Sequence, residues 1–221
     1  MEKTKKAEED IMKYLISMIR IVFLALFIFL AATGRFRLWL IIFAASLAAA
    51  LFSGRIYCGY VCPMNTLMIP TEWISKKLKL QKSVTPKWLS SGWLAWLALG
   101  ASIAGMMFAK RALHRDVPVL LIWLVASVII TLRYRPAVFH NLICPFGVLQ
   151  KIFGKNPVYS MRVQEQGCIG CRMCEKVCPS DAVAVRSEDR KAEINPALCL
   201  QCSNCSQVCP KNTIHYLGGK K

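Results

Sequence analysis

The chain has 221 residues, 55% of them apolar, and carries 29 Lys and Arg against 12 Asp and Glu, a net charge of +17. A soluble domain does not combine that apolarity with that charge, whereas a membrane protein does, with apolar residues in lipid and cations along its borders. Nucleic-acid binding, the other reading of a basic chain, is set aside because the charges flank apolar segments and no nucleic-acid motif is present.

Four apolar segments are read as helices in chain order: Ile11 to Thr33, Leu38 to Phe52, Leu89 to Ala109 and Val117 to Leu132. A helix needs about 20 residues to cross the hydrocarbon core. The first and third meet that length, while the second and fourth borrow flanking residues such as Arg37, Ser53 and Arg133 or thin the bilayer locally. Four such runs leave no polar surface for a soluble bundle. Span, basic turn, span and cysteine-proline loop occur twice, with Cys62-Pro63 and Cys144-Pro145 lying 82 residues apart. The expected architecture is therefore an all-α four-helix transmembrane bundle of two parallel hairpin repeats, with both cysteine-proline loops on one face. Gly100, Ala101, Ala104 and Gly105 on the third span are either a surface for close helix approach or ordinary filler.

Lysine and arginine set the orientation. Lys3, Lys5, Lys6 and Lys13, the loop carrying Arg55, Lys76, Lys77, Lys79, Lys82 and Lys87, and Arg133, Arg135, Lys151 and Lys155 share one side. The other side has Arg35, Arg37, Lys110, Arg111 and Arg115. The richer side is expected to be cytoplasmic, with both termini there, in a prokaryotic inner membrane. Glu8, Glu9 and Asp10 argue against a cleaved signal peptide. Residues 71–88, with Trp73, Ile74, Leu78 and Leu80 among lysines, suit either a helix on anionic lipid or a solvated loop.

The last third carries two copies of C-x2-C-x2-C-x3-C-P: Cys168, Cys171, Cys174, Cys178 and Pro179, then Cys199, Cys202, Cys205, Cys209 and Pro210. Three closely spaced thiolates clasp three corners of an iron–sulfur cubane, and the fourth, set apart, serves the other cluster. One [4Fe-4S] cluster is expected on Cys168, Cys171, Cys174 and Cys209, the second on Cys199, Cys202, Cys205 and Cys178. A zinc ribbon needs only four ligands and leaves this spacing unexplained. Between the runs, DAVAVRSEDRKAEI reads as strand, charged turn, strand. Residues 160–217 thus form a small α+β ferredoxin-like domain, after a tail at 1–10 and a membrane domain at 11–159, with 218–221 as a final tail. So few residues bury little core, and the clusters themselves are expected to hold this domain together.

GRIYCGYVCP, residues 54–63, sits where the second span stops. On the same side as the clusters, a Cys58–Cys62 disulfide is disfavoured by a reducing compartment. Its repeat is HNLICP, so the two loops pool Cys58, Cys62, His140 and Cys144, a set suited to a third cluster or a soft metal ion. A redox-active dithiol and plain turn residues are the alternatives.

With GR-x-YCG-x-x-CP after the second span, a C-P motif after the fourth and a two-cluster ferredoxin at the end, the chain resembles the NapH-type membrane polyferredoxins and their NosR- and CcoG-type relatives. It departs from them at His140, where the family usually has cysteine. The resemblance implies electron exchange between membrane quinol and a redox protein or reductase complex. Arg20, inside the first span, either polarises a quinone carbonyl or snorkels to the surface. His114 and Asp116 either shuttle quinol protons or are merely exposed. CcoG-type relatives suggest a second function, copper-ion reduction at Cys58, Cys62 and Cys144, and redox sensing through a partner is a third. Neither C-x-x-C-H nor G-x-G-x-x-G occurs, so haem c and NAD are not indicated.

Overall fold

The computed structural model describes residues 2–82, 89, 91–112 and 118–219, with side chains described from residue 11 onward. His114, Arg115, Asp116 and Lys87 lie outside the described residues. Helix α1 (Glu2–Ala32) runs without a break from the tail into the first apolar segment, so residues 2–10 are helical and continuous with it. It ends at Gly34, whose φ of +70° turns the chain while the Arg35 N–H reaches back to the Leu30 carbonyl at 2.9 Å. Glycine takes that left-handed helix stop without steric cost. Helix α2 (Phe36–Ser53) follows at once.

Helices α4 (Trp93–Ala112) and α5 (Val119–Arg133) form a second apolar pair. Residues Ile11–Ala32 of α1, together with α2 and α4, are long and apolar enough to cross a membrane, while α5 is an apolar helix of 15 residues and is shorter. Gly100 and Gly105 of α4 face open space, and a Cβ at either meets nothing within 4 Å. At these two glycines α4 makes no close approach to the other described residues.

Each apolar pair leads into the same local structure. Five residues of wide-turn helix, π1 (Tyr57–Val61) and π2 (Phe139–Ile143), end at a cysteine with φ −66°, ψ 118° (Cys62) or φ −64°, ψ 116° (Cys144). A proline then opens the next helix, α3 (Pro63–Lys77) or α6 (Pro145–Phe153). Proline fits the first helical position because its missing N–H has no partner there anyway. The packing is reciprocal: α1 covers π1 and α3, α4 covers π2 and α6, while α3 lies against α5 and α6 against α2. Buried polar links hold these pairs, with Ser75 Oγ donating to the Leu132 carbonyl at 2.7 Å and Gln150 Nε2 to Ser46 Oγ at 2.7 Å.

One apolar core gathers Phe27, Trp39, Phe43, Tyr57, Met68 and Phe139 together with four cysteines, Cys58, Cys62, Cys144 and Cys202. Trp39 is wholly buried, meets Phe27 edge-on at 5.1 Å and donates its indole N–H to Tyr57 Oη at 2.9 Å. The lysine-rich segment is divided: Trp73 and Ile74 belong to α3 with their side chains exposed, and Lys77 lies over the Trp73 ring at 5.0 Å.

The tail is a small α+β unit. Strand β1 (Tyr159–Val163) pairs antiparallel with β4 (Ile214–Gly218), and β2 (Val183–Val185) with β3 (Ala192–Ile194). The inner pair matches the expected strand–turn–strand; the outer pair has no signature in the sequence. Short helices α7 (Met173–Val177) and α8 (Asn204–Gln207) follow the second cysteine of each run. The two halves repeat at an offset of 31 residues. Gly170 and Gln201, Arg172 and Ser203, and Asp181 and Asn212 are equivalent pairs, and all six have φ between +49° and +66°.

Trp39→Ala removes a fully buried aromatic and its hydrogen bond, a cost of about 3–5 kcal/mol. Its thermal midpoint in detergent is expected to fall well below wild type, whereas Trp96→Ala, exposed on α4, should leave the midpoint within error.

Candidate metal centre

The eight tail cysteines gather in two sets around two cavities. One, with about 350 Å³ of space partly open to solvent, is lined by Cys168, Cys171, Cys174 and Cys209. The other, with about 280 Å³, is lined by Cys178, Cys199, Cys202 and Cys205. Each cavity thus takes three cysteines from one run and the fourth from the other. Among the described residues no three His, Cys, Asp or Glu side chains close to the spacing of a single metal ion. Four cysteines around each cavity supply one thiolate per iron, the donor set that a [4Fe-4S] cubane takes.

Backbone N–H groups point at the sulfurs. The donors are Ala182 to Cys178 at 3.2 Å, Ala192 to Cys168 at 3.4 Å and Gln201 to Cys199 at 3.4 Å. Left-handed residues beside the cysteines turn such N–H groups inward, which makes a nest for negative charge. Burial, reinforced by neighbouring thiols, pushes the Cys199 thiol up to about 12 and that of Cys205 up as well. Thiols so placed ionise only with a bound cation to compensate them. At the half-exposed Cys209 the upward push of burial is outweighed by hydrogen bonds from Thr213, Lys211 and Asn212, and the pKa falls.

The two cavities differ in surroundings. The second lies against the cysteine-proline loops, with Leu200 and Cys202 inside the same core as Cys58, Cys62 and Cys144. Gly59 is the point of closest approach: a Cβ there would stand 2.2 Å from the Leu200 carbonyl. Tyr60 Oη donates to the Gln201 carbonyl at 3.0 Å, and Asn141 Nδ2, at the repeat position of Gly59, donates to the Ser180 carbonyl at 2.7 Å. The first cavity opens outward at Cys171, the one exposed cysteine of the eleven.

Arg55 joins all of these parts. Counted from sequence as a border cation, it is in fact fully buried. Its Nη1 donates to Asn141 Oδ1 at 3.3 Å and to the carbonyls of Ala197 and Leu198 at 3.4 and 3.5 Å. Its Nη2 donates to the His140 carbonyl at 3.4 Å and lies 3.9 Å from Cys58 Sγ. The residue at the same place in the second repeat is Ala137, and that asymmetry within a repeat is the only trace of the role in the sequence. Gly59 and Asn141 were also missed, since neither type announces a docking contact.

Cys58, Cys62, His140 and Cys144 are all buried, the three thiols in one core. Burial and the charge of Cys58 push the Cys144 thiol up to about 12. His140 Nε2 donates to Asn65 Oδ1 at 3.1 Å, which leaves Nδ1 with the free lone pair. Burial and then Arg55 push its pKa down from 6.5 to about 3, so the ring is neutral. Arg20 donates from Nε to the Gly59 carbonyl at 2.9 Å and lies over the Tyr60 ring at 5.9 Å. It supports the first loop.

Gly59→Ala must part the loop from Leu200, so hydrogen exchange of residues 199–205 is expected to speed up about tenfold or more, while Gly100→Ala leaves it unchanged. The unfolded chain takes up a proton at His140 near pH 6.5 and the folded chain only near 3. Lowering the pH from neutrality towards 4 therefore destabilises the fold, and denaturation of His140→Gln should show a shallower pH slope.

Comparison with known proteins agrees with this geometry. A family model described as "4Fe-4S binding domain" matches twice, at residues 38–81 and 117–162, once over each cysteine-proline repeat. A second, "4Fe-4S dicluster domain", matches residues 167–213. Relatives include the methylamine utilization ferredoxin-type protein MauN of Methylobacillus flagellatus, 28% identical over 60% of this chain and 51% of that protein. The ferredoxin-type protein NapH of Haemophilus influenzae is 26% identical over 62% of this chain and 52% of its own. An uncharacterized protein of Methanocaldococcus jannaschii is 27% identical over 61% and 55%. The chain spans about half the length of these curated relatives. No solved structure matches. The two-cavity ferredoxin unit, the doubled cysteine-proline hairpin and these relatives agree: the chain belongs to the NapH-type family of membrane polyferredoxins.

Proposed function

We propose that this chain is a multi-pass membrane protein that passes single electrons between the quinone pool and a redox protein. The observation that carries this reading is the pair of crossed cysteine sets, one against the membrane-side loops and one open to the outside. In it, Cys168, Cys171, Cys174 and Cys209 hold one [4Fe-4S] cluster and Cys178, Cys199, Cys202 and Cys205 the other. Such a cluster, when bound, takes up or gives up one electron. The N–H groups of Ala182, Ala192 and Gln201 tune how readily that happens, because hydrogen bonds to sulfur shift cluster potentials.

In this reading the membrane domain spans 11–159 and the two-cluster domain 160–217, with short tails at 1–10 and 218–221. The four apolar helices form a bundle of two parallel hairpins. The doubled family match, the paired dihedral angles at Cys62 and Cys144 and the reciprocal helix packing support it. The lysine-rich side and the two-cluster domain face the cytoplasm of an inner membrane, and exposed Trp73 and Ile74 beside Lys76 and Lys77 rest on its lipid surface. Quinol releases two electrons and two protons on becoming quinone, so each quinol feeds two one-electron passages. Arg20 lies beside the inner set: its Nη groups have donors beyond the one Gly59 uses, and these would meet a quinone carbonyl.

In this reading the cysteine-proline loops offer a further centre, a third cluster or a soft metal ion on Cys58, Cys62 and Cys144, with His140 presenting its bare Nδ1. A single ion would have to draw these side chains together, since no three of them close to its spacing here. The same buried trio of thiols favours a second reading, reduction of a soft metal ion such as copper. Anaerobic analysis of iron, sulfide and copper tests these assignments. About eight irons per chain are expected for two clusters, and about twelve for three. Copper binding abolished by Cys58→Ser favours the second reading. Material that is iron-free yet keeps its β1–β4 protection against exchange overturns the proposal. Cys209→Ser should disturb the same paramagnetic signal as Cys168→Ser and leave that altered by Cys199→Ser.

A further inference from the structure

The internal repeat of the tail makes its two ends comparable residue by residue. Around the inner cavity, Leu200 is 1% exposed because Gly59 and the first loop cover it. Ser180 and Gln201 lend their carbonyls to Asn141 and Tyr60, and Ser203 Oγ lies 3.5 Å from Tyr60 Oη. That end is a docking face with its partner already in place.

At the offset of 31 residues, Ile169 stands where Leu200 does, and it is 55% exposed. Gly170 answers to Gln201, Arg172 to Ser203, Lys176 to Gln207 and Lys211 to Ser180. Ser180 and Ser203, which meet the loops, are thus answered by cations on the open face, as is Gln207 one turn beyond Ser203. Arg190 packs over Gly170, its carbonyl 2.2 Å from where a Cβ would stand, and the Lys191 ammonium donates to the Cys168 carbonyl. Acids of the same side are Glu175, which bonds the Val185 N–H and lies 3.9 Å from Arg172, and Asp189, which accepts from the Lys191 N–H at 3.0 Å and pairs with Arg186. Exposed Ile169 and Met173 sit at the centre with Cys171 between them. An apolar centre in a charged rim is the anatomy of a protein interface, and small, charge-steered contacts suit transient electron exchange.

We propose that this outer face, centred on Ile169, Cys171 and Met173 and rimmed by Arg172, Lys176 and Lys211, docks a soluble acidic redox protein in the way its twin docks the membrane-side loops. The inference rests on the electron-transfer reading and names the chemistry of its partner. Contact there lets one electron pass between the carrier's centre and the centre held behind Cys171, one being oxidised as the other is reduced, with no bond or proton exchanged.

The test uses the full holoprotein in phosphatidylcholine nanodiscs, with a strongly acidic two-cluster ferredoxin as the probe. Saturable binding is expected at low salt, weakening towards about 0.15 M. It should fall about tenfold or more in Lys176→Glu/Lys211→Glu and not in Lys110→Glu/Arg111→Glu. Carbodiimide coupling, which joins a lysine amine to a carboxylate with loss of water, should map to Lys176 and Lys211. Binding that ignores these charges, cross-links elsewhere, or a face that instead captures phosphatidylglycerol vesicles through the same lysines overturns the proposal. Paramagnetic resonance after dithionite reduction separates the two layers. Reduced clusters in wild type and variant without charge-dependent binding sink the docking face alone, and absent clusters sink the electron-transfer reading itself.

Discussion

A fully buried guanidinium, that of Arg55, is the point on which three parts of the chain converge. Removing a cation from water is costly unless oxygen atoms replace its hydration. Here the replacements are carbonyls of His140, Ala197 and Leu198 and the side-chain oxygen of Asn141, all at 3.3–3.5 Å, with Cys58 sulfur at 3.9 Å. These groups belong to the second loop, the inner cluster run and the first loop. None of the three can shift without stranding the charge. Arg55 thus sets the register of the tail on the cysteine-proline loops.

That register decides which end of the tail is inside. With Gly59 against Leu200, the cavity of Cys178, Cys199, Cys202 and Cys205 shares a core with the cysteine-proline loops. The cavity of Cys168, Cys171, Cys174 and Cys209 is left outside. A nearly symmetric two-site unit acquires one covered and one open end through asymmetric docking, since its two cysteine runs have the same spacing. Ser180 and Ser203 stand on the covered side where Lys211 and Arg172 stand on the open one.

The same tail shows why thiols and fold depend on each other. Its core is made of Met161, Ala182, Val183, Ala192 and Ile214 with Cys174, Cys199 and Cys205, a set with little apolar volume. Burial that keeps these thiols protonated when bare is the burial a cluster's charge would reverse, so binding and folding are coupled in such a unit.

Spacing along the chain was enough to read the two crossed cysteine sets that line the cavities and the apolar helices, because ligand intervals and hydrophobic runs are local properties of a sequence. The inner strands at 183–185 and 192–194 were legible for the same reason, as alternation around a charged turn. The outer pair of β1 and β4 was not, since its strands are some fifty residues apart and pairing of that range leaves no local pattern. Nor was the burial of Arg55, which in sequence is one basic residue among many beside a span. The small residues of α4 read equally as a contact surface or as filler, and Gly100 and Gly105 meet nothing within 4 Å among the described residues. Only the tertiary structure decided which charges are solvated, which glycine marks a contact and which cavity faces out, because each depends on neighbours brought in from remote parts of the chain.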